Sequence, residues 1–457
     1  MKRDIDLYLK NWKTRTLRKP LIIHGARQVG KTWSVDTLST SFTHYLKIDF
    51  EAERDAVSIF RDNNIERILQ EISLFTGVPA VEGQTLVFFD ECQLCSGVLK
   101  SLRYFYEKKP GLHVIAAGSL LDIALNELQQ YPMPVGRVEF LYMYPLSFSE
   151  FLTALGKDNL RQFIESYHVA DREIPPAIHN QLLELLRFYY FIGGMPEAVD
   201  AYVETKDLLT IQRIQTELAT SMQTDIAKYT EKKEQQYLLE VFFYTARNTG
   251  RKIKYSNIDS QVRSGVIKAA VNYLERIRII HKITHSHGDG VPLGVQMKSE
   301  HFKSAFVDIG LSNRICGLDL LMPLNMLTIR EGLLAEQFAA QELVAAHRVF
   351  EERELYYWVR QSKNSNAEVD YLITAGNRVV PLEIKSGTMG SLKSLHMFMA
   401  LKKDADFAVR CDLNPPSLQK ASHKVTIKNE SRIADFTLIN LPLYMISQAK
   451  RIVNKLQ

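Results

Sequence analysis

Residues Gly25-Ala26-Arg27-Gln28-Val29-Gly30-Lys31-Thr32 fit the pattern G-x-x-x-x-G-K-[ST] at every fixed position. Each fixed residue has a chemical reason. The glycines let the backbone curl so that its N–H groups face phosphate oxygens. Lys31 then reaches the β and γ phosphates of a nucleotide, and the Thr32 hydroxyl ligates Mg²⁺. A helix starting near Lys31 adds the positive end of its dipole. Such a loop needs a second carboxylate on the metal side. The apolar run Thr85-Leu86-Val87-Phe88-Phe89 supplies it by ending in Asp90-Glu91. Asp90 would hold Mg²⁺ through water, and Glu91 would orient or deprotonate the attacking water.

The next apolar run, 113–117, ends in Gly118-Ser119. Ser119 is then expected between the two motifs, in reach of the γ-phosphate or the water. Gly136-Arg137 precedes a further run. An arginine there either reaches a neighbouring subunit's nucleotide and stabilises transition-state charge, or takes part in a surface ion pair. Cys92-Gln93-Leu94-Cys95 has no second pair at zinc-finger spacing and reads as the packed start of a helix.

A second constellation lies far along the chain. Glu368-Val369-Asp370 and Glu383-Ile384-Lys385 flank Gly376-Asn377, a pair suited to a two-residue hairpin turn. If that turn sets the register, Asp370 faces Glu383 and Glu368 faces Lys385 on one side of the sheet. Opposed carboxylates about 5 Å apart repel unless something positive sits between them. A divalent metal, Mg²⁺ or Mn²⁺, is one solution, with Lys385 activating a water for attack on a phosphodiester. The other reading is a salt-bridged face, Glu368 with Lys385, on an inert scaffold.

The elements that must position these residues follow from hydrophobic periodicity. Runs at 21–24, 45–50, 85–89, 113–117 and 138–144 read as strands separated by amphipathic helices, the pattern of a parallel sheet in an α/β protein. From about 150 to 248 the pattern is helical, broken at Gly193-Gly194-Met195-Pro196. Two short helices and a hairpin around Gly288-Asp289-Gly290 follow, with wing-like strands at 279–284 and 294–297. A helix over 331–346 then precedes strands at 355–359, 368–374 and 379–384.

Composition bounds the rest. Of 457 residues, 46% are hydrophobic and 24% charged, which excludes wholesale disorder and a disulfide scaffold. No apolar run reaches the roughly 18 residues of a membrane span, and Met1-Lys2-Arg3-Asp4 leads into no secretory stretch. Four cysteines suit a reducing compartment, so a cytoplasmic location with no membrane partner is expected. The net charge is only +5, yet segment 251–282 holds eight Lys and Arg against two acidic residues. Its helical pattern buries Val266, Ala270 and Leu274 and turns Arg263, Lys268 and Arg276 outward. That face suits a polyanion such as nucleic acid, or is simply solvated.

Together these motifs resemble an AAA+ ATPase, in particular the bacterial and archaeal group with "GARQVGKT"-like phosphate loops. In that group a winged helix and a restriction-endonuclease-like domain commonly follow. The resemblance implies Mg²⁺-dependent ATP binding and hydrolysis on a parallel sheet of order 5-1-4-3-2. It implies a core over 1–150, a helical lid over 151–235, a winged helix over 236–325, a nuclease-like α/β domain over 326–445 and a basic tail over 446–457. It makes Ser119 the first sensor, although many relatives carry Asn there, and Pro196 part of the lid's nucleotide side. The Asp370…Glu383-x-Lys385 set resembles the PD-(D/E)XK nuclease signature, with Val369 where Pro is usual. Glu336 matches the acidic residue on the first core helix of such folds, and Gln361 also lines the site. The expected metal ligands are thus Thr32 and Asp90 at one site and Glu336, Asp370 and Glu383 at the other. The expected partners are ATP, nucleic acid and further copies of the chain. The alternative is an ATP-dependent switch or DNA-binding regulator whose last domain is inert.

Overall fold

The computed structural model describes residues 1–121, 123, 136–169, 173–228, 232–318, 331–352, 354–362, 365–387, 391–402, 404–427 and 430–456. Two compact units emerge. One comprises residues 1–145, 273–279 and 347–352; the other comprises 146–272, 280–346 and 353–457.

The first unit runs α1 (Asp4–Lys13), β1 (Leu21–His24), α2 (Lys31–Ser39), β2 (His44–Asp49), α3 (Ile65–Thr76), β3 (Thr85–Asp90), α4 (Ser96–Lys108), β4 (His113–Gly118) and β5 (Glu139–Tyr142). The strands form one parallel sheet of order β2-β3-β4-β1-β5, the expected order read from the other edge. β1, β3 and β4 are buried at every position because helices cover both faces of such a sheet. The edge strand β2 buries only Leu46 and Ile48. Cys92 and Cys95 are buried in this apolar core with free thiols, and Cys95 immediately precedes α4. Because β1 and β3 both flank β4, the phosphate loop and Asp90-Glu91 leave the sheet at the same end, two strands apart.

The second unit opens with helices α5 (Phe148–Ala154), α6 (Asp158–Ser166), α7 (Pro176–Ile192), α8 (Pro196–Thr205), α9 (Leu208–Lys228) and α10 (Lys232–Arg247). Two more follow, α11 (Tyr255–Ile258) and α12 (Ser264–Arg276), the latter crossing the division between units. The glycine break between α7 and α8 has a packing cause. Gly193 sits at φ +74°, and a Cβ there would lie 2.2 Å from Asp308 Oδ1. Asp308 is fully buried; it accepts from the Gly194 N–H at 2.6 Å and caps α13 (Ile309–Ile315) through the Leu311 N–H.

The remaining strands are β6 (Ile280–Ser286), β7 (Met297–Phe306), β8 (Leu355–Ser362), β9 (Ser365–Ala375), β10 (Arg378–Ile384), β11 (Phe407–Asp412), β12 (Ser417–Ile427) and β13 (Glu430–Pro442). Helices α14 (Glu331–Ala345), α15 (Lys393–Leu401) and α16 (Ala449–Lys455) accompany them. All eight strands join one mixed sheet of order β12-β13-β11-β10-β9-β8-β6-β7. The hairpin expected to be a separate wing is therefore continuous with the C-terminal sheet, through the parallel pairing of β6 with β8. The Gly376-Asn377 turn sets the expected register, from Arg378 opposite Ala375 to Leu382 opposite Tyr371.

Candidate functional site

The phosphate loop connects β1 to α2. Gly25 is required by close approach, since a Cβ there would lie 2.4 Å from the Met143 carbonyl oxygen. Gln28 adopts a left-handed φ of 63°, a conformation that persists only where the surroundings enforce it. Lys31 is 6% exposed and donates from Nζ to the carbonyls of Gly25 at 3.0 Å and Ala26 at 2.8 Å. Burial lowers its pKa, with Glu91 and Asp90 opposing that shift. An unanticipated residue braces the loop from outside. The buried Arg3, just before α1, donates to the Val29 carbonyl at 2.8 Å and to the Tyr144 carbonyl at 2.7 Å. No motif surrounds Arg3, and its role follows only from the tertiary fold.

At the end of β3, Thr32 Oγ1 donates to Asp90 Oδ2 at 2.8 Å, and Lys47 Nζ lies 3.9 Å from the same oxygen. Burial raises the Asp90 pKa. Glu91 stands at φ 47°, again left-handed, and accepts from Gln93 Nε2 at 2.6 Å. Ser119 follows β4 directly and is half-buried. Arg137 is exposed, pairs with Glu107 at 3.2 Å and stacks on the Tyr106 ring. Pro196 is the first residue of α8, in the second unit.

The C-terminal constellation is arranged around a residue that sequence reading passed over. Lys303 of β7 is 2% exposed. Its ammonium lies 2.6 Å from Glu368 Oε1, 3.4 Å from Glu336 Oε2 and 3.6 Å from Asp370 Oδ1. Lys252 reaches the other Glu368 oxygen at 2.7 Å. Lys385 pairs with Glu383 at 2.7 Å, so the expected Glu368–Lys385 pairing is replaced by two others. Where the β9–β10 ladder ends, the Ile384 N–H donates to Asp370 Oδ2 at 2.8 Å. Burial raises the pKa values of Glu336 and Glu383. Burial also pushes Glu368 up, but Lys303 and Lys252 outweigh it and hold it below the ordinary value. The side chain of Gln361 lies outside the described residues. Among the described residues, no group of three His, Cys, Asp or Glu side chains is disposed to hold a metal ion.

Residues 17–152 match a family described as an AAA domain. Residues 183–321 and 331–437 each match a domain of unknown function (DUF8612 and DUF4143). The Walker-type ATPase paby2304 of Pyrococcus abyssi is similar at 14% identity and a TM-score of 0.45, over 69% of this chain and 95% of that one. The RuvB Holliday junction branch migration motor of Thermotoga maritima is similar at 14% identity and a TM-score of 0.27, over 61% and 87%. No curated protein matches the chain. With the phosphate loop, the acidic strand end and the strand order in place, the first unit is a P-loop ATPase of AAA+ type. The chain is accordingly an ATP-binding enzyme that hydrolyses ATP. No helix among the described residues is long and apolar enough to cross a membrane.

Proposed function

We propose that this chain couples Mg²⁺-dependent ATP hydrolysis in its first unit to nucleic-acid binding by its second, with the nuclease-like part of that unit acting as a binding module. The observation that carries the first half is the Thr32–Asp90 contact at 2.8 Å. It brings together the two oxygen donors that would hold Mg²⁺, and the metal when bound would offset charge on the β and γ phosphates. Lys31 exchanges its two carbonyl partners for phosphate oxygens. Glu91, held by Gln93, takes the proton of the attacking water or aligns it. Ser119 is the sensor in this reading, Arg137 acts on the nucleotide of a neighbouring copy, and Pro196 marks the lid.

Nucleic-acid binding is supported by Arg251, Lys254, Arg263 and Lys268, all of them exposed and all in the second unit. The order of α10, α11, α12, β6 and β7 supports a winged-helix reading, in which the third helix would enter a groove while cations contact phosphates. The helix–three strands–helix–strand order from α14 to β11 supports the nuclease-like reading of that part. Its acidic residues do not fit a metal centre, because a lysine already stands among them. That observation favours an inert module over a cutting one.

Two assays test the proposal. Lys31→Ala should lower ATP turnover by at least about a hundredfold, the scale of losing one preorganised cation at a transferring phosphoryl group. Normal turnover by the purified variant would overturn the assignment. Duplex DNA should bind with an affinity that falls steeply with salt, and Arg263→Ala/Lys268→Ala should reduce the slope by about two. DNA should stay intact with Mg²⁺ or Mn²⁺; cleavage abolished by Lys385→Ala would restore a nuclease reading.

A further inference from the structure

The acidic cluster of the C-terminal module poses a charge problem. Glu336, Glu368, Asp370 and Glu383 are drawn together by α14, β9 and β10, and each is at least half-buried or fully buried. Carboxylates this close remain ionised only with compensating cations. In a metal-dependent nuclease a divalent ion provides that charge. Here three ammoniums of the chain itself do so: Lys303 against Glu368, Glu336 and Asp370, Lys252 against Glu368, and Lys385 against Glu383.

Local structure explains why Lys303 is in place. Residues 250–253 run along β7: the Gly250 N–H donates to the Ser304 carbonyl, the Ile253 N–H donates to the Phe302 carbonyl, and Lys252 bridges Lys303. This sets the two lysines side by side. The Lys303 ammonium lies 5.4 Å from the centroid of the Tyr357 ring on β8. Phe302, Ser304 and Phe306 on one face of the strand and Ala305 on the other are all buried, so neither face offers Lys303 a position in water.

We infer that Lys303 is the resident cation of this cluster, standing in place of a divalent metal and tying β7 to α14 and β9. With Lys252 and Lys385 it leaves one negative charge over four carboxylates. The inference rests on reading the C-terminal module as one that binds without cutting.

The experiment is Mn²⁺ titration of the full chain without nucleotide, following the free-ion electron paramagnetic resonance signal, with thermal denaturation alongside. Wild type should show no uptake that depends on Asp370. Lys303→Ala should gain about one Mn²⁺ per chain, and Mn²⁺ should raise its Tm but not that of wild type. Uptake by wild type that is lost in Asp370→Asn would overturn the inference. So would a folded Lys303→Ala chain that takes up no Mn²⁺. If Lys303→Ala does not fold, Lys303→Met/Glu368→Gln, which removes one charge of each sign, should restore folding, and failure of that pair counts against the inference. Wild type that binds Mn²⁺ yet leaves DNA intact overturns only the role of Lys303. Wild type that binds none yet cuts DNA overturns only the inert-module reading.

Discussion

Two buried lysines, one in each unit, show how environment decides what a cation does. Lys31 is 6% exposed and Lys303 is 2% exposed. Lys31 bonds only backbone carbonyls, and burial lowers its pKa. Burial also pulls Lys303 down, but Glu336, Asp370 and Glu368 outweigh it and leave the pKa well above the ordinary value. The charge of Lys31 is under-compensated, as its proposed role at the nucleotide phosphates requires. That of Lys303 is already satisfied. The two lysines differ less in exposure than in whether carboxylates sit within contact distance.

The largest effect that follows concerns stability. Removing Lys303 leaves three facing carboxylates without their shared cation, and breaking a buried pair from one side costs about 3–5 kcal/mol. Lys303→Ala should therefore unfold at markedly lower urea concentration. Lys31→Ala should unfold near wild type or slightly above it, because removing a poorly compensated buried charge relieves its desolvation. Comparable losses in the two variants would erase the contrast between the lysines.

How much of this was legible beforehand differs between the two centres. The phosphate loop and the acids after β3 are contiguous motifs, so spacing alone identifies them, and the burial of β1, β3 and β4 follows from unbroken apolar runs. The β9–β10 register was equally readable from Gly376-Asn377 as far as Leu382 opposite Tyr371, where the ladder stops one pair short of Asp370 and Glu383. Lys303 was not. The second wing strand was expected over 294–297, whereas β7 runs from Met297 to Phe306, so the lysine fell outside any expected element. Its partners lie 33, 65 and 67 positions away, and no local pattern encodes the continuity of β6 with β8 that brings them together. Arg3 was hidden for the same reason, being 26 residues from Val29 and 141 from Tyr144.

Arg3 sharpens the comparison from the ATP side. It touches no phosphate but fixes two carbonyls that frame the loop holding Lys31. Hydrogen bonds from a charged donor contribute about 1.5–3 kcal/mol, here shared between folding and loop order. Arg3→Ala should raise the KM for ATP several-fold while lowering kcat less, the signature of a positioning residue. Arg3→Lys should recover only part, since the two carbonyls are met by two separate nitrogens of a planar guanidinium that a single ammonium does not reproduce. A fall in kcat with unchanged KM would mean that Arg3 acts on the chemical step instead.

The smallest effect compares how the two units respond to acid. Burial lowers the pKa of His113 in the first unit to about 4, and that of His285 in the second to about 4. Each is 4% exposed. His285 Nδ1 accepts from the Val359 N–H at 3.3 Å, which requires an unprotonated ring nitrogen. His113 Nε2 meets the Lys13 carbonyl at 3.0 Å while its Nδ1 is buried without a partner. Folded-state pKa values below the unfolded value near 6.5 mean that the unfolded chain binds more protons as pH falls. Stability held above about pH 6.5 is thus lost on descending to about pH 4, at up to about 1.4 kcal/mol per pH unit for each ring. Urea denaturation at pH 7, 6 and 5 checks this. His285→Gln should flatten the slope for the second unit and His113→Gln that for the first. An unchanged slope in either variant would mean that the ring titrates alike in the folded and unfolded chains and that burial does not depress its pKa.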